Sequence, residues 1–158
     1  MYTELHAKSN YSFLEGASHP EELVARAAAM GYRGIAITDR NSLAGIVRGH
    51  VAARDAGLPL IVGAELHLDD GATVVAWAQH RAGYGRLCKL LTRGRRRVAK
   101  GGCLIGWDDL VTLGDGLLVG LVPRHSQAAA PDVGELPNGS LTPAAALRIA
   151  ERSPSSES

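Results

Sequence analysis

Three short β-like runs each deliver a titratable side chain to their carboxyl end, and two helical stretches separate them. The runs are Tyr2 to His6, Gly34 to Asp39 and Leu60 to Glu65. Strands joined through helices are expected to lie parallel. The carboxyl ends of parallel strands converge on one crevice, where loops hold side chains over a shared space. His6, Asp39 and Glu65 are thereby expected on one face, and one imidazole with two carboxylates is the donor chemistry of a divalent-metal site. Two cations interrupt that pattern. Lys8 stands two residues after His6, and Arg40 directly follows Asp39. Residues two apart on an extended segment point the same way, which sends Lys8 into the crevice of His6. A protonated lysine has no lone pair to give a metal.

Local signals support the alternation. Ser18 with Glu21 three residues on has the spacing of a capping box, and Pro20 is tolerated in a first helical turn. Leu23, Val24, Ala27 and Ala28 mark the apolar stripe of that helix, which Gly31 is placed to end. A second helix is expected after Ser42, burying Leu43, Ile46, Val47 and Val51, with Gly57 and Pro59 as its stop. The aliphatic run LIVGAELHL reads as the third strand and ATVVAWA as the fourth, joined through an Asp69-Asp70-Gly71 turn. Leu87, Leu90 and Leu91 form the stripe of a third helix, and GLLVGLVP reads as one more strand.

With 158 residues and 46% apolar composition the chain can build one core. A net charge of +1 does not by itself announce nucleic-acid binding. Cys88 and Cys103 are far apart and lack a redox or metal-binding pairing, as expected of a reduced cytoplasm. No apolar run reaches the length needed to span a bilayer, and the first residues lack a signal-peptide core. The one candidate for a polyanion or partner surface is the cluster of Arg86, Lys89, Arg93, Arg95, Arg96 and Arg97. Clustered arginines neutralise phosphates and release counterions. The same residues also suit a solvated helix end or an intramolecular contact. After residue 122 the composition shifts to Pro, Ala, Ser and Gly, which predicts a loose or disordered tail over 123–158.

The segments LHAKSNYSFLEGASHPEEL, GIAITDRNSLAGIVRGHVAARDAGLPLIVGAEL and AGYGRLCKLLTRGRR resemble the amino-terminal polymerase-and-histidinol-phosphatase (PHP) domain of bacterial C-family DNA polymerases, the error-prone branch in particular. The likeness covers Met1 to about Val122, with several motifs in the family's order. It implies a partial α/β barrel, the first four or five strands of a distorted (β/α)7 fold, and a domain over 1–122. In metal-binding members of the family the first motif is His-x-His, the second ends Thr-Asp-His, and a Glu closes the third strand. Carried over, these fall on His6, Lys8, Asp39, Arg40 and Glu65, so that two expected imidazoles are cations here.

The resemblance implies a degenerate metal site in which Lys8 and Arg40 supply the positive charge that Asp39 and Glu65 would otherwise draw from a metal. Burying unpaired like charge costs several kcal/mol. Alternatively Arg40 points to solvent and only Lys8 enters. His67, two residues past Glu65, leaves room for a reduced site of His6, Asp39, Glu65 and His67. The resemblance implies that full-length relatives extend DNA past lesions with magnesium and deoxynucleoside triphosphates, using palm, fingers and template-binding domains that this sequence does not contain. Two functions follow. One is a non-catalytic scaffold whose partners are the remaining polymerase domains, with DNA and replication or repair proteins around the whole enzyme, and no membrane. The other is a free-standing PHP phosphoesterase using zinc or manganese, an alternative that Lys8 and Arg40 disfavour. An open set of strand edges would make the isolated piece marginally stable and prone to self-association. A tail unlike the family's continuation is what a shortened or frame-shifted reading of a longer gene, or a deliberately cut piece of it, is expected to show.

Overall fold

A computed structural model describes residues 2–123, so that the expectation for 124–158 lies outside the described residues. The described chain runs β1 (Thr3–Ala7), α1 (Pro20–Ala29), β2 (Gly34–Ile37), α2 (Ile46–Asp55), β3 (Leu60–His67), β4 (Thr73–Ala78), α3 (Arg81–Arg96), α4 (Trp107–Leu113) and β5 (Leu117–Leu121). One five-stranded sheet has the order β1-β2-β3-β4-β5. β1 and β2 run parallel, as do β2 and β3, whereas β4 is antiparallel to both of its neighbours. β3 matches the expected strand LIVGAELHL to within one residue, ending at His67. Its first residues pair with β2 through Ile35↔Leu60 and Ile37↔Val62, and its second half pairs with β4 from Gly63↔Trp77 to His67↔Thr73.

Helices cover one face of the sheet. Alternation along β3 sends Leu60, Val62, Ala64 and Leu66 toward them, the first two into a cluster with Val24, Ile35, Ile37 and Ile46, the others into one with Val74, Leu87, Leu90 and Ile105. Partly buried Leu43 packs against both clusters. The opposite face carries Gly63 and Glu65. There the Trp77 indole N–H of β4 donates to the Leu5 carbonyl of β1 at 2.8 Å. Three strand spacings would separate these strands by about 14 Å in a flat sheet, so the sheet curls. Gly63 makes this possible, because a Cβ there would meet the Ala76 carbonyl oxygen at 2.7 Å and Trp77 Cδ1 at 3.0 Å. On β1 the Glu4 carboxylate accepts the His6 N–H at 2.9 Å. That occupies a donor that another strand could have paired with.

Several local expectations shift. α1 is capped by His19 rather than Ser18, with the Glu22 carboxylate accepting the His19 N–H at 2.8 Å. The Ser18 carbonyl instead takes the Asn10 N–H of the preceding loop. Gly31 ends α1 at φ 68, a conformation that glycine adopts without penalty. In α2 the buried side is Ile46, Gly49 and Ala53, while Val47 and Val51 are exposed. The reason is close approach, since a Cβ on Gly49 would run into Ile37 Cδ1. Leu87, Leu90 and Leu91 are buried on α3 as the spacing predicts, and Asp69 to Gly71 form the β3–β4 turn. α4 has no counterpart in the sequence reading.

Two glycines test this packing in opposite directions. Gly63→Ala is expected to lower stability by roughly 1–3 kcal/mol, because strand backbone must move to admit the methyl group. Gly85 lies within α3, and a Cβ there would have nothing within 4 Å, so Gly85→Ala is expected to raise stability by about 0.5–1 kcal/mol. Paired urea melts of the two variants check both signs.

Candidate functional site

β1 ends beside β3, and the face of β3 opposite the helices presents Glu65 and His67 at alternate positions. Glu65 is 2% exposed and is the acceptor for three side chains. His6 Nε2 lies 2.8 Å from Oε2, Lys8 Nζ 2.8 Å from Oε1 and His67 Nε2 2.7 Å from Oε1. An ionised carboxylate only accepts hydrogen bonds, so each of these imidazole nitrogens carries its proton toward Glu65. Burial alone would raise the Glu65 pKa, but the bonds from His6, Lys8 and His67 outweigh it and hold the group at about 2. Burial likewise works to lower the Lys8 pKa, and its bonds to Glu15 and Glu65 reverse that, leaving it above the usual lysine range.

Lys8 also reaches Glu15 at 2.6 Å, and Glu15 in turn pairs with Arg40. The charges alternate from Glu65 through Lys8 and Glu15 to Arg40, two acids and two cations. Asp39 stands outside this chain, contrary to the expectation that Lys8 and Arg40 would sit between it and Glu65. Its Oδ1 accepts the Ser9 N–H and the Ser12 hydroxyl, and its Oδ2 the Ser9 hydroxyl, all at 2.7 Å. The Arg40 N–H donates to Ser12 Oγ, so the carboxylate and its serines fasten the loop after β1 onto the end of β2. A Cβ on Gly45 would lie 3.0 Å from Asp39 Oδ2, which shows how tightly this carboxylate is packed. Arg40 matches neither alternative drawn from the sequence, being 43% exposed along its side chain yet ion-paired to Glu15.

Glu15, Ser9, Ser12 and Asn41 escaped the sequence reading. Asn41 adopts φ 47, donates its N–H to the Glu65 carbonyl and accepts the His67 N–H on its side-chain oxygen at 3.2 Å. Asparagine tolerates that backbone region better than most residues, and this was the available signal. The Asn41 carbonyl accepts from Arg95 of the α3 cluster at 2.7 Å. The rest of that cluster divides. Arg86 pairs with Asp115, and Arg93 and Arg97 converge on buried Asp109. The Arg97 hydrogen bond holds the Asp109 carboxyl at about 2 against its burial, with help from the Gly106 N–H and Arg93. Lys89 and Arg96 have no hydrogen-bond or ion-pair partner among the described residues.

The fold-family expectation of a metal can be tested on this donor set. Two imidazoles donate to the central carboxylate, an ammonium occupies its third contact, and Asp39 is saturated by serine donors. Those residues do not fit a metal cluster, and among the described residues no group of three or more His, Cys, Asp and Glu is arranged to hold an ion.

Stability in acid reports on Glu65. A carboxyl depressed from 4.5 to about 2 stabilises the fold above its unfolded pKa, and that contribution is lost as pH falls from 4.5 toward about 2. The shift corresponds to at most about 3 kcal/mol, and solvent screening at the site mouth reduces this to roughly 1–2 kcal/mol. Asp109, depressed from 3.8 to about 2, adds a second, slightly more acidic leg. Glu65→Gln is expected to flatten the upper leg and Asp109→Asn the lower one, as read from melting temperature against pH.

Comparison with known proteins agrees with this fold. The family model for the PHP domain matches residues 4–133. An error-prone DNA polymerase of Rhodopirellula baltica is 48% identical over 131 residues, and one of Dechloromonas aromatica 54% over 112. These matches take in 83% and 71% of the present chain but only 11% of either polymerase. Among solved structures, a protein described as a metal-dependent phosphoesterase from Bifidobacterium adolescentis superposes with a TM-score of 0.51 at 21% identity, over 73% of this chain and 51% of its own. An amidohydrolase from Chromobacterium violaceum with bound sulfate and no metal gives 0.52 at 28% identity, over 61% of this chain and 34% of its own. The first of these shows the fold alone, a curled α/β sheet forming part of a PHP-type barrel. Taken together, the motifs, the sheet and these matches establish that the chain belongs to the PHP-domain family.

Proposed function

We propose that this chain is the PHP-domain part of an error-prone DNA polymerase and that it serves there as a non-catalytic scaffold. The observation that carries the reading is the Lys8 ammonium at 2.8 Å from buried Glu65, between His6 and His67. A metal in such a place would cross-link carboxylate and imidazoles and also activate water. An ammonium provides the cross-link without the Lewis acidity. What remains is a fastening of β1 and its following loop to β3. In the whole polymerase the partners are the other domains of the same chain, and nucleotidyl transfer with magnesium during repair synthesis in the cytoplasm belongs to those domains. No described helix is long and apolar enough to cross a membrane.

The second reading, a metal-dependent phosphoesterase, draws on the structural neighbour described by that name. The two separate in one set of measurements. Under the scaffold reading the dialysed protein holds only substoichiometric metal and does not turn over a chromogenic phosphate ester with added manganese or zinc. Lys8→His is expected to gain measurable zinc affinity, and Lys8→Ala to lose roughly 1–3 kcal/mol of stability through the charge left on Glu65. Stoichiometric zinc or manganese in the wild-type protein, or turnover that vanishes in a folded Asp39→Ala variant, would replace the scaffold with the phosphoesterase.

A further inference from the structure

Positive charge is strongly segregated along this chain. Residues 81–100 carry eight Lys or Arg side chains and no Asp or Glu, although the whole chain has a net charge of only +1. Folding uses part of that charge. Arg86 and Arg95 are engaged as described, and Arg93 with Arg97 share the single carboxylate of Asp109, leaving one positive charge in excess. Lys89 and Arg96 serve no structural contact among the described residues. They lie with Arg93 and Thr92 along an open depression of about 580 Å³ on α3.

The spacing is that of one helix face. Lys89, Arg93 and Arg96 stand at i, i+4 and i+7, spanning about 10 Å along the axis. Tyr84 and Arg96 belong to the same i±4 ridge, through Cys88 and Thr92, and the Tyr84 side chain is 37% exposed. An acidic protein partner would need a desolvated apolar anchor at the centre of its footprint. Here the ridge offers small polar groups between the ring and the cations. A row of cations with an exposed aromatic further back on the same ridge, about 120° around the helix from Arg96, instead suits a single nucleic-acid strand that crosses the helix diagonally, cations on phosphates and a ring on a base.

We infer that the exposed face of α3 binds the backbone of single-stranded nucleic acid, with Lys89, Arg93 and Arg96 on phosphates and Tyr84 stacked on a base. This contact makes no use of the Glu65 site. Its test is fluorescence anisotropy of labelled oligothymidylate with the full chain across a salt series. Three phosphate contacts predict a slope of log K against log salt near −2, at about −0.7 per contact on a single strand. Removing two contacts with Lys89→Ala and Arg96→Ala together is expected to reduce the slope to about −0.7 and weaken low-salt binding roughly tenfold. Tyr84→Ala should cost about fivefold or more, while Tyr84→Phe retains wild-type affinity. All of these positions are at the surface, so an unchanged melting temperature verifies folding. Oligothymidylate affinity unaltered in the double variant would overturn the proposal. So would the absence of low-salt binding, or a preference for polyglutamate over oligothymidylate that the same variant abolishes.

Discussion

A carboxylate buried to 2% exposure is tolerable only if its charge is answered at close range, and Glu65 is answered three times. Desolvating a lone carboxylate costs several kcal/mol even after relaxation, so this side chain sets a condition on everything near it. β1 must end where His6 and Lys8 reach β3, and β3 must continue two residues further so that His67 shares its face. Asn41 must hold its left-handed turn to support both Glu65 and His67 through the backbone. The loop after β1 then closes with Glu15 over the outer side of Lys8. In this sense the polar centre organises the strand ends as firmly as the apolar clusters organise the helices.

The two acids that stood out in the sequence have different employments. Glu65 is compensated by charge, whereas Asp39 is compensated by hydroxyl and amide donors from Ser9 and Ser12. Neutral donors suffice where several converge on one oxygen pair. Lys8 is consequently free to bridge the two glutamates, and Arg40 is held outward by Glu15. Strand-end polarity is retained while its contacts are those of an internal brace.

Much of this organisation is legible in the sequence, for identifiable reasons. Strand alternation and the two crossover helices follow from short-range periodicity, and the inward course of Lys8 follows from the two-residue repeat of an extended chain. What stays hidden depends on contacts far apart in sequence. Nothing near Ser9 or Ser12 announces a carboxylate 27 or 30 residues away, and Glu15 gains its role only when the loop folds back. Val47 and Val51 depart from the expected burial because Gly49, small enough to press against Ile37, outranks larger apolar side chains in choosing the buried side of α2. α4 is seven residues long, too short for an apolar period to emerge, and is fixed largely by Asp109 receiving Arg93, Arg97 and the Gly106 N–H.

β3 binds a parallel neighbour with one half of its length and an antiparallel neighbour with the other. Its alignment is consequently specified twice, by independent ladders on opposite sides. A slip of a single residue would turn Leu66 toward the imidazoles and drive Glu65 among the leucines. Such a strand has almost no near-miss states available to it. A lysine ammonium can therefore stand against Glu65 without loosening the strand geometry that holds the carboxylate.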